Sequence, residues 1–473
     1  MPEFHAEPFI YLAGLTHRSA LIAWGGFYFR INDKDESLKL VDDHDLDHIH
    51  PPRHQTIGAR SEPYGESVVE VRDAATSDLV ATATTNSANH VFIDGLQPDR
   101  EYTYKITVNG EEWAEGERRD WIAIDKDRQG LLSLGNRYDN RFRTHPSPDA
   151  SANLTFALLG DFGTGVRKIS NSGRRQKEVA DALARAVDER NVRLILTTGD
   201  NIYAAKTLLG IPIDETGDED DDWFFTFYQP YRYIINRVPV YPCVGNHDTG
   251  ETEKSDDRQQ LLDNFYINER FAAKQASGTV SLGPGLFYRF KYGADIEFVC
   301  IDTSRQSALF GDRFFEHPNH VGFVEAAFPD PGSAARGPKW RVPFSHHPPY
   351  CAGPEHRNSK SMIKRIVPLL RRSGVPAYFS GHEHNFQHSE ADGIQYFITG
   401  AGGKVRRNAP SDFDDAHTVS WAAEAHFLVV AIEGDSMTVT PIGELGGADA
   451  LSTLSRKTPS GGIVVAPIHV DRQ

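Results

Sequence analysis

The amino-acid sequence predicts an all-β sandwich followed by a layered α/β domain. Through about residue 145, apolar and polar residues alternate between turn residues, which is typical of short strands. From residue 154 onward, short apolar runs alternate with helix-like stretches, which is typical of α/β layering. Several predicted strands of this second part end in segments rich in Asp, Asn and His, and these segments indicate the function.

Composition excludes several classes of protein. The 473 residues leave room for two or three domains, and a hydrophobic fraction of 39% excludes a chain that is disordered throughout. The 66 Asp and Glu residues outnumber the 50 Lys and Arg residues, and the resulting net charge of −16 disfavours broad binding of nucleic acid. No apolar run approaches the roughly 18 residues that a membrane-spanning helix needs, so no membrane span is expected.

The N-terminus and the cysteines bear on the compartment. Glu3 and Glu7 stand where a secretory leader would carry basic residues, so no signal peptide is expected. Cys243, Cys300 and Cys351 are too few and too scattered for a disulfide framework, and they fit a reducing compartment. The sequence therefore favours a cytoplasmic location slightly over secretion, and it leaves the oligomeric state open.

The first part of the chain carries the signals of the predicted sandwich. Strands are predicted over 19–31, 67–72, 90–93 and 102–108. Leu96, Pro98 and Tyr102 form the pattern of a tyrosine corner, in which the tyrosine hydroxyl hydrogen-bonds to backbone upstream. With Trp24 as a candidate buried Trp on an early strand, this region resembles a fibronectin type III or immunoglobulin-like module.

Two prolines and small polar residues in the segment 141–153 separate the two patterns, so the predicted domains are 1–145 and 146–473. The elements predicted next are a strand over 154–159, a helix over 174–190, a strand over 192–198, a helix near 223–236 and a strand over 240–244. The acidic stretch 214–222 is either a solvated insertion or a weak cation site. The Ser- and Gly-rich segment 446–473 is not assigned.

Five segments of the second part combine glycine with oxygen or imidazole ligands. They are GDFG (160–163), GDNIY (199–203), GNHD (245–248), SHHPPY (345–350) and GHEHNF (381–386). A single acid such as Asp161 is more often a cap or turn residue than a ligand, whereas two imidazoles in G-H-x-H can reach adjacent ions. Because open α/β sheets bind ligands at the carboxyl ends of their strands, five such segments in succession predict a metal site.

The residue types suit two adjacent metal ions that activate water and neutralise charge on a phosphoryl group. Asp200 is the natural bridge, since a bridging ligand must be short and anionic. The amide and imidazole ligands suit a divalent ion, and the phenol with its carboxylates suits a trivalent ion, above all iron(III). The divalent set is Asn246, His346 and His382, and the trivalent set is Asp161, Tyr203 and His384.

Over about 155–403, these five motifs resemble those of the calcineurin-like metallophosphoesterase superfamily, and specifically of the purple acid phosphatases. Many other members of the superfamily carry D-x-H in the first motif, whereas this chain has Gly163 there and Tyr203 three residues after Asp200. The resemblance implies two β-sheets flanked by helices, iron(III) paired with Zn, Fe or Mn, and an acid phosphatase that hydrolyses phosphate monoesters. It implies the same ligand sets, each completed by the bridging Asp200.

Larger members of the family, such as those of plants, place a β-sandwich ahead of the catalytic domain, which agrees with the N-terminal pattern. Two departures bear on substrate and location. The acidic insertion is longer than in compact members, and no leader is visible although the family is often secreted.

Several histidines need separate assignment. The family ligand precedes an x-P pair, which favours His346 over His347. His247 is expected to hold substrate phosphate or to protonate the leaving oxygen, and His356 is a second candidate for that role. Arg357 could instead be the phosphate partner, since its donor fork suits phosphate, and His356 could be an exposed loop residue.

Asn385 and His388 follow the last motif, and they are expected to orient its two histidines by hydrogen bonds.

The resulting mechanism is in-line attack of a metal-bound hydroxide on phosphorus, which an acidic pH would favour. The rival function is a phosphodiesterase of the same superfamily that acts on nucleotides or phospholipid head groups. A third possibility is a binding module whose metal domain is a vestige, but no ligand is missing. There is no G-x-S-x-G motif, P-loop or dinucleotide fingerprint. The sequence leaves open the physiological substrate, the divalent metal and the role of the sandwich.

Overall fold

Most of the chain is described by the structure, a computed structural model. The described residues are 4–31, 38–41, 58–123, 129–166, 171–203, 207–208, 211–212, 223–248, 255–276, 286–303, 306–307, 311–312, 318–330, 337–408, 410–443, 455–457, 463–465 and 467–472. The acidic stretch 214–222 lies outside them, so neither interpretation of it is tested.

Antiparallel strands make up the N-terminal part. They are β1 (Phe4–Leu15), β2 (Ala20–Ile31), β3 (Leu38–Leu40), β4 (Ser67–Asp73), β5 (Leu79–Thr85), β6 (His90–Ile93), β7 (Glu101–Val108), β8 (Glu111–Glu112), β9 (Arg118–Ala123), β10 (Gln129–Asn136) and β11 (Arg141–Arg143). One sheet has the order β1-β2-β3 with β6 also on β2, and another has the order β11-β7-β4-β5 with β8 on β7. Strands β9 and β10 pair as a ribbon.

Alternating burial along these strands confirms the predicted pattern. Val69 and Val71 of β4 are buried while their neighbours are not, and β7 alternates in the same way. These side chains share a core with Trp24 of β2, which is fully buried. The hydroxyl of Tyr102 accepts the backbone N–H of Gln97 at 2.8 Å, as expected for a tyrosine corner.

The second part of the chain contains strands and helices in alternation. Its first half comprises β12 (Leu154–Leu159), α1 (Asn171–Glu189), β13 (Ile195–Thr197), β14 (Thr207–Leu208), β15 (Ile211–Pro212), a π-helical turn (Phe224–Tyr228), α2 (Arg232–Ile235), β16 (Val240–Tyr241), α3 (Ser255–Asn264), α4 (Ile267–Ala276), β17 (Tyr288–Tyr292), β18 (Ile296–Ile301), β19 (Gln306–Ser307) and β20 (Gly311–Asp312). Its second half comprises α5 (Pro318–Ala327), β21 (Trp340–Ser345), α6 (Lys360–Arg365), α7 (Val367–Arg372), β22 (Ala377–Ser380), β23 (Phe386–Ala391), β24 (Ile394–Thr399), β25 (Thr418–Ala422), β26 (His426–Glu433), β27 (Ser436–Gly443), β28 (Ser455–Lys457), β29 (Ile463–Val465) and β30 (Ile468–Asp471).

Three elements differ from the prediction, two of them for identifiable reasons. The strand predicted over 192–198 is limited to β13 (Ile195–Thr197). The helix predicted near 223–236 is divided into the π-helical turn and α2, and Pro230, which cannot donate a helical hydrogen bond, lies between them. The strand predicted over 240–244 is limited to β16, because Pro242 follows it and has no N–H for the ladder.

Two large mixed sheets dominate the second part, as the fold class predicted, and β14 with β15 and β19 with β20 pair as short ribbons. The first has the order β16-β13-β12-β26-β27-β30, in which β12, β13 and β16 are parallel. The second has the order β17-β18-β21-β22-β24-β23-β25-β28-β29, in which β18, β21, β22 and β24 are parallel. Phe156 of the first sheet meets Phe298 of the second edge to face, at 5.1 Å between ring centroids. None of the helices in the described ranges combines the length and apolar character that crossing a bilayer would require.

The N-terminal sheet packs on the second part through aromatic side chains. Phe9, Tyr11 and Phe27 of β1 and β2 contact Tyr228 of the π-helical turn, with ring centroids 4.2 to 6.4 Å apart. Alternate side chains of the same two strands, including Trp24, face the sandwich core. The sheet of β1 and β2 is therefore buried on both faces, which explains the long apolar runs of these strands.

Stability is expected to fall at acidic pH because of His426, which begins β26 and is fully buried. Burial lowers the pKa of this imidazole to about 4, against about 6.5 in an unfolded chain. Below about pH 6.5 the unfolded state takes up a proton that the native state does not, so this residue lowers the free energy of unfolding by about 2 kcal/mol near pH 5 and about 3 kcal/mol in full.

Urea unfolding of His426→Asn and of the native chain at about pH 7.5 and about pH 5 measures this contribution. The variant should lose about 2 kcal/mol less on acidification than the native chain. His469→Asn, at an exposed histidine of β30, is the control. An equal loss in all three proteins would contradict the assignment.

Candidate metal centre

The five ligand-bearing segments meet at one edge of the two sheets. In the first sheet, Asp161, Asp200 and Asn246 follow the carboxyl ends of β12, β13 and β16. In the second sheet, His346 and His382 follow β21 and β22. Parallel strands direct their carboxyl ends to the same edge, so neighbours in the sheet bring these segments together.

Three of these residues have unusual backbone angles, which set the directions of their side chains. Asp161, Asp200 and His382 have φ values of 55°, 51° and 72°, in the left-handed region that costs a non-glycine residue of order 1 kcal/mol or more. Gly245 allows this crowding, because a Cβ there would lie 2.1 Å from Oδ1 of Asp200. Such strain at three neighbouring turns is typical of a functional site.

The first ligand group consists of Asp161, Tyr203 and His384. Oη of Tyr203 lies 3.3 Å from Oδ1 of Asp161 and 3.3 Å from Nε2 of His384. Nε2 of His384 lies 3.5 Å from the same oxygen of Asp161. All three side chains are buried. Burial and the neighbouring Asp200 raise the pKa of the Tyr203 hydroxyl well above its usual value, so its ionisation needs a nearby cation.

The second ligand group consists of Asn246, His346 and His382. Oδ1 of Asn246 lies 2.8 Å from Nε2 of His346 and 3.1 Å from Nδ1 of His382. Nδ1 of His346 donates to the carbonyl of Thr198 at 2.8 Å, so Nε2 is the ring nitrogen that faces the rest of the group. The amide oxygen of Asn246 carries lone pairs, and amide and imidazole donors together suit a divalent cation.

Asp200 lies between the two groups. Its Oδ1 is 3.5 Å from Nε2 of His346 and accepts the backbone N–H of His247 at 3.0 Å. Ligand atoms of Asp161, Asp200 and His346 all lie within 4.8 Å of one another.

The two buried carboxylates differ in pKa. Burial and the charge of Asp200 raise the pKa of Asp161 well above its usual value. The pKa of Asp200 is lowered, since burial raises it but His346 and His247 lower it further. Two buried carboxylates this close can both ionise only beside a cation, so the residues present fit a metal centre.

His347 also borders the second group. Ligand atoms of His346, His347 and His382 lie within 4.8 Å of one another. Nδ1 of His347 contacts Oγ1 of Thr303 at 3.0 Å, whereas Nε2 of His346 faces both Asn246 and Asp200. These contacts favour His346, and its choice over His347 stays a prediction.

The two candidate catalytic histidines flank the ligand groups. The ring of His247 lies 4.6 Å from the ring of Tyr203. The ring of His356 stacks on His382 at 3.7 Å, and burial lowers its pKa to about 4. His356, whose exposure is intermediate, therefore borders the second ligand group, and its catalytic role stays a prediction. Arg357 is half-exposed, and its Nε pairs with Asp412 at 2.6 Å.

Asn385 and His388 make contacts other than those expected. Nδ2 of Asn385 donates to the carbonyl of Gly353 at 3.0 Å, which ties the last motif to the loop of His356. Nε2 of His388 contacts Oε1 of Gln395 on β24. These contacts tie the last motif to a neighbouring loop and strand, and the predicted orienting roles of Asn385 and His388 stay predictions.

Two buried carboxylates were not singled out from the sequence. Asp248 accepts the backbone N–H groups of Asn201 at 2.8 Å and of Gly245 at 2.7 Å, and it thereby joins the second and third motifs. Glu383 accepts the N–H of His356 at 2.8 Å and pairs with Arg406 at 3.1 Å. Both are acidic residues inside motifs, which is the signal that could have identified them.

Comparisons with known proteins point to a phosphoesterase domain. Residues 154–386 match the family model for the calcineurin-like phosphoesterases. Tartrate-resistant acid phosphatase type 5 of Homo sapiens is 26% identical over 325 residues, which cover 64% of this chain and 91% of that protein. Purple acid phosphatase 4 of Arabidopsis thaliana is 23% identical over 306 residues, which cover 59% of this chain and 76% of that protein.

Two solved structures share the fold. A structure of PhoD has a TM-score of 0.62 at 13% identity and covers 98% of this chain and 93% of that one. The purple acid phosphatase PPD1 from seeds of yellow lupin (Lupinus luteus) has a TM-score of 0.55 at 13% identity and covers 100% of this chain and 75% of that one. Because both alignments extend over nearly the whole chain, they support the fold of its N-terminal strands as well as that of the paired sheets.

Proposed function

We propose that this chain, which carries a calcineurin-like phosphoesterase domain over residues 154–386, is a dinuclear metal phosphatase of the purple acid phosphatase type that hydrolyses phosphate monoesters. The domain and the acid phosphatases among its relatives make the chain a hydrolase of phosphoric esters. The observation that carries the finer proposal is the position of Asp200 between two compact ligand groups.

Each ligand group suits a different ion. Asp161, Tyr203 and His384 would hold iron(III) together with Asp200, because a phenol and carboxylates favour a trivalent ion. Asn246, His346 and His382 would hold Zn, Fe or Mn in the divalent state, also with Asp200, because amide and imidazole donors suit such ions.

The remaining side chains would handle the substrate. When bound, the two ions would supply an activated water and neutralise charge on the phosphoryl group. His247, which lies beside Asp200 and Tyr203, would hold substrate phosphate or protonate the leaving oxygen. His356, which stacks on His382, would assist in the same role beside the second ligand group.

The visible spectrum and metal content of the purified protein test this proposal. We expect about two metal ions per chain and a purple colour that Tyr203→Phe abolishes, since the phenol donates charge to iron(III). A nitrophenyl phosphate monoester should turn over faster than the bis-ester. A colourless protein with two zinc or manganese ions would contradict the role of Tyr203, and faster turnover of the bis-ester would favour a phosphodiesterase.

We also propose that residues 1–145 and 146–473 are separate domains. The end of β11 at Arg143 and the start of β12 at Leu154 support this boundary. Phe9 and Phe27 nevertheless share a hydrophobic cluster with the second part, so the two domains would stay in fixed contact.

A further inference from the structure

A lysine ammonium group lies against the ring of Tyr203. Nζ of Lys404 is 3.9 Å from the centroid of that ring. The Lys404 residue is only 6% exposed, and Tyr203 is 0% exposed. Water therefore screens the charge of Lys404 weakly. This charge acts directly on the aromatic face of the tyrosine.

Glycines bring the segment 400–404 close to the first and last motifs. A Cβ at Gly400 would lie 2.2 Å from the carbonyl oxygen of Glu383, and one at Gly402 would lie 2.7 Å from that of Gly160. Side chains at these positions would collide with backbone, so the approach of this segment to both motifs depends on glycine.

Backbone hydrogen bonds fix the position of the Lys404 backbone. Gly402 donates to Gly160 at 2.8 Å, and Lys404 donates to the carbonyl of Asp161 at 3.4 Å. Two residues later, Arg406 donates to the carbonyl of His384 at 2.9 Å. The segment is thus bound to the backbone of two members of the first ligand group, and the ammonium is held over the third.

We propose that Lys404 tunes Tyr203 as an electron donor to the trivalent ion, an inference that rests on the proposed binding of iron(III) by Tyr203. A fixed positive charge stabilises the electrons of a phenolate. Transfer of phenolate charge to the iron then requires more energy, and the phenolate stabilises the trivalent state less. Lys404 thereby sets both the colour of the centre and its reduction potential.

The test compares Lys404→Met, which removes the charge at similar length, with Lys404→Arg, which keeps it. In Lys404→Met the absorption maximum should move to longer wavelength, and the midpoint potential of the iron should fall. Lys404→Arg should stay near the native values. Arg407→Met removes an exposed cation of the same segment and should change neither quantity.

The outcomes separate this inference from the proposed function. If the native protein is purple and Lys404→Met keeps the native maximum and potential, the inference is overturned while iron binding by Tyr203 stands. Equal shifts in the Met and Arg variants would overturn it as well, since charge would not be the cause. Metal analysis completes the test: since removing the cation strengthens donation by the phenolate, both variants should keep their iron, and iron lost from the Met variant would contradict the inference. A native protein that binds iron without purple colour would overturn the proposed function together with the inference.

Discussion

Asp200→Ala is expected to remove both metal ions and to lower turnover by at least about 1,000-fold, the equivalent of the several kcal/mol that a metal centre supplies. Asp200 is the anionic side chain between the two ligand groups, since its Oδ1 lies 3.5 Å from His346 and its ligand atoms lie within 4.8 Å of those of Asp161. Metal analysis and turnover of nitrophenyl phosphate measure both effects in the same preparation.

Two further variants make this result specific. Asp200→Asn keeps the size of the side chain and tolerates the φ of 51°, so its metal loss would report the missing charge and not backbone strain. His356→Ala should keep its metal, because His356 reaches the centre by stacking on His382. Full metal content in both Asp200 variants would rule out the bridge.

Glu7→Gln is expected to lower the free energy of unfolding by about 3 to 5 kcal/mol. Oε2 of Glu7 lies 2.9 Å from Nη2 of Arg232, and the two side chains are 3% and 2% exposed. This pair joins β1 to α2, so the substitution leaves a buried guanidinium without its counter-charge where the N-terminal sheet meets the second part. Urea unfolding followed by circular dichroism measures the loss.

The matched controls separate pairing from burial. Glu7→Gln combined with Arg232→Met removes both charges and should recover part of the stability. Glu178→Gln breaks the exposed pair with Arg174 in α1 and should cost less than about 1 kcal/mol. A loss as small as that of Glu178→Gln would show that the Glu7 pair contributes little.

The local pattern of apolar and polar residues was enough to predict strands that bury one face and the polar segments that follow apolar runs. Alternation over 67–72 and 102–108 predicted β4 and β7 to within one residue at either end, because a half-buried strand has a period of two. The ligand segments were predicted because polar residues that directly follow an apolar run stand out in sequence. The tyrosine corner was predicted from three residues whose hydrogen bond is local.

Contacts across the chain decided the rest. The π-helical turn packs on Phe9 and Tyr11, which lie more than 200 positions upstream. A prediction from the residues near Trp223 could not include these contacts. The approach of Asp161 and His346 to Asp200 depends on the order of strands in two sheets. Lys404 lies outside every ligand motif, and only the passage of its glycine segment against two of them brings it over Tyr203. The sequence by itself thus determined which residues could bind metal, and the tertiary structure decided how they are grouped and charged, because distance and burial arise only when remote segments pack together.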